Sequence, residues 1–62
     1  MGSKTPKQIR TDAGVSLEKV AVHAGVSTPT ARIFEIDPSA VKDERKRASL
    51  AREYEALAKQ AG

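Results

Sequence analysis

Apolar positions along the chain recur at spacings of three and four, and no segment alternates with period two, so the pattern predicts helices and no strands. The first helix is announced by Thr5-Pro6-Lys7-Gln8, a capping box with proline at the first helical position: the Thr5 hydroxyl accepts from the Gln8 amide while the Gln8 side chain reaches back. It runs over about residues 6–13 with Ile9 and Ala13 inward, and Gly14 ends it by supplying a left-handed residue. Ser16 caps a second helix, 17–24, with Glu18 in its first turn and Leu17, Val20, Ala21 and Ala24 at helical spacing. Gly25 closes it, and Ser27-Thr28-Pro29 opens a third helix, 28–36, in which Ala31 and Phe34 point inward, with Ile36 a further candidate.

Asp37-Pro38-Ser39 interrupts the periodicity, after which Asp43 is preferred to Asp37 as the cap of a long fourth helix, about 43–60. From Glu44 to Gln60 no breaker occurs, and Leu50, Tyr54, Leu57 and Ala61 form an apolar stripe flanked by Ala51 and Ala58. Glu55 and Lys59 make an i,i+4 pair on what reads as the solvated face. The fold class expected is therefore all-α: three short helices and a longer C-terminal helix in one domain over residues 1–62, with 1–4 disordered.

Residues 17–36 have the grammar of a helix-turn-helix. Two helices crossing steeply need a small residue at the close approach, here Ala21, and a positive-φ residue at the turn, here Gly25. Val20, Ala24, Val26, Ala31 and Phe34 supply apolar contacts before, within and after the turn. On these residues the stretch Ile9 to Glu35 resembles the lambda-repressor-like (Cro/C1, xenobiotic-response-element type) helix-turn-helix family, and Ser16 to Ala21 with Ala24 to Ser27 are also similar to Lac-type repressor head-pieces. The chain departs from the family at Ala31, where a larger branched residue is usual, and at Pro29, where a polar base reader is common. It also carries one long closing helix in place of two short ones.

The resemblance implies a sequence-specific double-stranded DNA-binding regulator, a repressor by occlusion, with the third helix in the major groove. Thr28, Pro29, Arg32 and Ile33 would then face base edges: Arg32 as a fork on the O6 and N7 of guanine, Thr28 as a hydrogen-bonding group, Ile33 or Pro29 against a thymine methyl. Ser27 and Thr30 at the helix N-terminus, together with Lys19, Lys7, Arg10, Arg45, Lys46 and Arg47, are the candidates for the phosphate backbone.

Charge agrees in sign. The chain carries 11 Lys and Arg against 8 Asp and Glu, net +3, and the whole excess lies in residues 1–32. The sequence has no cysteine and a single histidine, His23, which exclude a disulfide framework and a thiolate zinc site. His23 reads as a structural or backbone-contacting residue, and no metal or cofactor is expected. Ser and Thr sit at caps and the lone histidine has no nucleophile at a motif spacing, so the chain is not expected to be an enzyme. No apolar run reaches membrane-spanning length and no signal-peptide core is present, so a soluble, intracellular chain is expected, and the resemblance implies the cytoplasm of a bacterial or phage-type system, with the nucleoid.

Two alternatives stay open at this level. The Leu50, Tyr54, Leu57 stripe is either core for the short helices or a seam between two chains, the candidates for homodimer contact being Tyr54, Leu57 and Ala61. The competing function is a protein-interaction module that has lost DNA contact and docks through the fourth helix. A chain of 62 residues is not expected to hold a small-molecule effector domain as well.

Overall fold

The computed structural model describes residues 4–61, the side chain of Ala61 excepted. The expectation of disorder for residues 1–3 and of a chain contact at Ala61 therefore lies outside the described residues, whereas Lys4 is placed, its ammonium 2.6 Å from the Asp12 carboxylate. Four α-helices follow one another: α1 (Pro6–Asp12), α2 (Leu17–Ala24), α3 (Thr28–Ile36) and α4 (Glu44–Ala61), with a single 3-10 turn, Pro38–Ala40, between the last two. The architecture is the small helical bundle that the periodicity predicts.

Each boundary has a local cause visible in the side chains. At α1, Gln8 N–H donates to the Thr5 hydroxyl and Thr5 N–H to the Gln8 side chain, completing the capping box. Ser16 accepts from Lys19 N–H at α2, and Ser27 from Thr30 N–H at α3. Asp37 and Asp43 do not compete for one cap. Asp37 accepts from the Ser39 amide and caps the 3-10 turn, while Asp43 accepts from the amides of Arg45 and Lys46 at the start of α4.

The core lies where the short helices meet α4: Val20 and Ala21 of α2, Ala31 and Phe34 of α3, Leu50, Tyr54 and Leu57 of α4, and Val41 from the connection. Ile9, Ala13, Val15, Leu17, Ala24 and Val26 close it from the edges. The rings of Phe34 and Tyr54 stack with centroids 5.4 Å apart and planes 10° from parallel, a pairing that adds about 0.5–1.5 kcal/mol beyond area burial. Such terms matter in a chain without disulfide or metal staples.

Three positions go against or beyond what the periodicity predicts. Ile36 is not inward: it follows Phe34 by two residues, about 200° around the helix, and is 78 % exposed. Tyr54 and Leu57 are core residues of this chain, whose own short helices cover them and leave 3 % and 5 % of their surface exposed. Val41, not assigned to any element by periodicity, is a core residue; the 3-10 turn lowers it into place, and Arg47 holds it there by donating to the Val41 carbonyl at 2.9 Å.

Candidate nucleic-acid interface

The α2-turn-α3 unit is fixed by backbone chemistry before any packing. Gly25 takes φ 73°, ψ 31°, the left-handed conformation, and its amide donates to the carbonyls of Ala21 and Val22. The next amide, Val26 N–H, donates to the Ala21 carbonyl at 2.9 Å, which turns the chain sharply and delivers Ser27 as the α3 cap. Ser49 of α4 donates its hydroxyl to the Ala24 carbonyl at 2.8 Å, satisfying one of the last carbonyls of α2 and tying the turn to the long helix.

Within α3 the side chains divide by helical geometry. Ala31 and Phe34 face the core, and Glu35, four residues after Ala31, is carried to the same side. Thr28, Pro29, Arg32 and Ile33 line one shallow depression on the outer side, with Ile33 44 % exposed and no ion pair to Arg32 among the described residues. The four residues expected to face bases are thus brought together on one surface.

Ser27 and Thr30, expected at the phosphate backbone, are engaged with each other, Oγ to Oγ1 at 2.8 Å, besides forming the cap. Ser27 is exposed and its cap sits at the end of α3 that carries Thr28 and Pro29. Lys7 lines a second cleft with Leu17, Arg32 and Ile36, above the Arg10–Glu35 pair, so Lys7 and Arg32 form a cationic rim. Lys19 is elsewhere: it lines a groove between α2 and α4 with His23 and Glu53, whose Nδ1 and Oε2 lie 3.4 Å apart. Arg45 and Lys46 are exposed at the start of α4. Arg47 is half-buried and committed to Val41, with Glu44 at 3.9 Å.

Arg10 is corrected outright. Its Nε donates to Glu35 at 2.5 Å, Nη2 to the other Glu35 oxygen at 3.3 Å, and Nη1 to the Val15 carbonyl at 3.0 Å, with only 14 % of the side chain exposed. A guanidinium so committed is not free for a phosphate. Tyr54 donates its hydroxyl to the same carboxylate at 2.6 Å, so Glu35 of α3 gathers α1 and α4 to itself.

Burial works to raise the Glu35 carboxyl, and the hydrogen bonds from Arg10 and then Tyr54 outweigh it, holding Glu35 below the usual carboxylate range. The Arg10 guanidinium is raised, chiefly by its hydrogen bond to Glu35 and against the effect of burial. Burial first, and the Glu35 carboxylate second, push the Tyr54 hydroxyl well above its ordinary value. The sequence carries a signal for this arrangement: a carboxylate four residues from a core alanine must find a partner. Which cation supplies it is decided only when α1 packs.

Among the described residues no cluster of His, Asp and Glu could hold a metal ion, and no helix is long and apolar enough to cross a membrane. Comparison of the chain with protein-family models, with curated proteins and with solved structures finds no match in any of the three.

Proposed function

We propose that the chain is a sequence-specific double-stranded DNA-binding regulator, acting as a repressor by occupying its site, with α3 laid in the major groove. The observation that carries this is the division of α3: its inner face is pinned by core and carboxylate, while Thr28, Pro29, Arg32 and Ile33 project together from the other. A helix held rigidly on one side and offering on the other an arginine without an ion-pair partner among the described residues suits base readout, since the reader is positioned before the DNA arrives. The excess of positive charge in residues 1–32 supplies attraction to phosphate, with Lys7 on the cationic rim and Ser27 at the exposed α3 cap as nearby contacts. Arg45 and Lys46 are further backbone candidates.

The interaction-module alternative needs an apolar face left over on α4, and its large apolar residues Leu50, Tyr54 and Leu57 are consumed by the core. One α3 spans half of an operator, so two copies on half-sites about 34 Å apart are the expected arrangement, brought together by the DNA. This function belongs in the cytoplasm, with the nucleoid, and calls for no cofactor.

Selection of bound duplexes from a random pool tests the proposal. The expected result is an enriched motif whose affinity falls steeply with salt, log K against log salt having a slope of about −0.9 per phosphate contact. Absence of enrichment, or affinity indifferent to salt, overturns it.

A further inference from the structure

Arg32 lines two hollows at once. On the outer side it shares the shallow depression with Thr28, Pro29 and Ile33, and towards α1 it shares a cleft of about 330 Å³ with Lys7, Leu17 and Ile36. Arg32 and Ile36 are four residues apart and so stand on one side of α3, the cation one turn before the apolar residue. Ile36 is 78 % exposed, more than any other large apolar side chain among the described residues. The charges at the base of the cleft cancel, because both oxygens of Glu35 are occupied by Arg10 and one also by the Tyr54 hydroxyl. Lys7 and Arg32 on the rim make no ion pair among the described residues. The cleft therefore offers two unmatched cations beside an apolar pair, Leu17 and Ile36.

We propose that this cleft is the docking site of an acidic protein segment carrying one large apolar anchor, and that the segment and DNA exclude each other, the exclusion resting on the DNA-binding function proposed above. The occupant follows from charge and from what each kind of ligand gains. A free small anion has only the two exposed cations to hold it, and pairs of that kind are worth little in water. A DNA backbone matches the cations, but its phosphates and sugars supply no apolar side chain to cover Ile36. Carboxylates flanking a leucine or phenylalanine match all four residues: the acids meet Lys7 and Arg32, and the anchor is buried against Leu17 and Ile36. Exclusion follows from Arg32 alone. A guanidinium forked on a carboxylate over the cleft is not available to a guanine on the outer side.

The test selects peptides from a random library displayed on phage, against the intact chain, and measures the selected peptide by fluorescence anisotropy. Acidic residues around one large apolar residue are the expected pattern. Ile36→Ser, at an exposed position that leaves the core intact, is expected to weaken the peptide about tenfold and to leave affinity for the enriched duplex unchanged. Serine in place of the peptide's anchor, at equal charge, brings the same loss, and Ile36→Ser then adds nothing further. Saturating peptide displaces the labelled duplex. A library that yields no binder, or binders without that pattern, overturns the docking site, as does an affinity untouched by Ile36→Ser. Equal binding of the peptide without its anchor also overturns it, since the cleft is then an unselective anion patch. A complex holding chain, duplex and peptide together overturns the exclusion. If no duplex is enriched from the random pool, the exclusion falls with the DNA-binding function, while a peptide that depends on Ile36 still establishes the docking site.

Discussion

Arg10 and Glu35, 25 residues apart in sequence, meet with the guanidinium Nε 2.5 Å from a carboxylate oxygen, and both side chains are almost wholly shielded from water. The pair joins α1 to α3, and Tyr54 joins α4 to the same carboxylate. Breaking a shielded pair by removing one partner strands the other, which costs far more than the pair contributes by existing. Arg10→Ala is therefore expected to destabilise the fold by about 3 kcal/mol, read as a fall in the urea midpoint. The triple variant Arg10→Met, Glu35→Leu, Tyr54→Phe, which leaves no orphaned hydroxyl, recovers most of that loss, and a loss in the triple variant as large as in the single one would show that the charge itself is required.

The same three groups set the limits of stability in pH. Glu35 titrates lower in the folded chain than in the unfolded one, so its contribution is complete above the ordinary value of 4.5 and is lost as pH falls below it. Tyr54 titrates higher when folded, so its contribution is complete below 10.0 and is lost as pH rises beyond. Thermal melts across pH should show both limbs, the acid limb flattened in Glu35→Gln and the alkaline limb in Tyr54→Phe. An alkaline limb unchanged in Tyr54→Phe would contradict the buried hydrogen bond to Glu35.

Three cations in one run should behave differently. Arg45→Ala and Lys46→Ala should weaken all DNA sequences alike and leave the melting temperature in place, while Arg47→Ala, which unpins Val41, should lower stability by about 1 kcal/mol. Arg32→Ala should instead relax preference at one base pair and cost about 1–3 kcal/mol on the selected duplex. Equal losses on every sequence for Arg32→Ala and Arg45→Ala would mean that neither reads a base.

Leu57→Glu places a carboxylate in the core and removes a leucine side chain, a cost of about 4 kcal/mol or more in a domain whose whole stability is of that order. The expected outcome is an unfolded chain by circular dichroism. Ala58→Glu, one residue on and exposed, should melt within about 0.5 kcal/mol of the parent. A folded Leu57→Glu with altered mass in solution would restore the seam between chains.

Gly25→Ala tests the turn in isolation. A Cβ at Gly25 meets nothing within 4 Å, so the whole cost, about 1 kcal/mol, is that of holding an L-residue at φ 73°. A larger loss would reveal a contact that the folded geometry lacks.

The helices were legible because their boundaries are local: Thr5 and Gln8, Ser16, Gly25, Ser27 and Asp43 each act on amides or dihedrals within a few residues. The outer face of α3 was legible for the same reason, since Thr28, Pro29, Arg32 and Ile33 share a side by helical spacing alone. What escaped depends on residues far apart in the chain. Nothing near Arg10 marks Glu35 as its partner, and nothing near Val41 reveals that a 3-10 turn will lower it into the core. The apolar stripe of α4 reads first as core, but spacing alone also admits another chain, and what covers it depends on how the short helices pack.

The two sides of α3 have separate fates under mutation. Ala31, Phe34 and Glu35 anchor the helix, and none of them is among Thr28, Pro29, Arg32 and Ile33, whose side chains make no hydrogen bond or ion pair among the described residues. Substitutions on the outer side are therefore nearly free in stability, and the surface proposed to read DNA can drift or be redesigned wholesale while the scaffold stays as it is. A chain of 62 residues with little stability to spare can in this way change what it recognises without first having to become more stable.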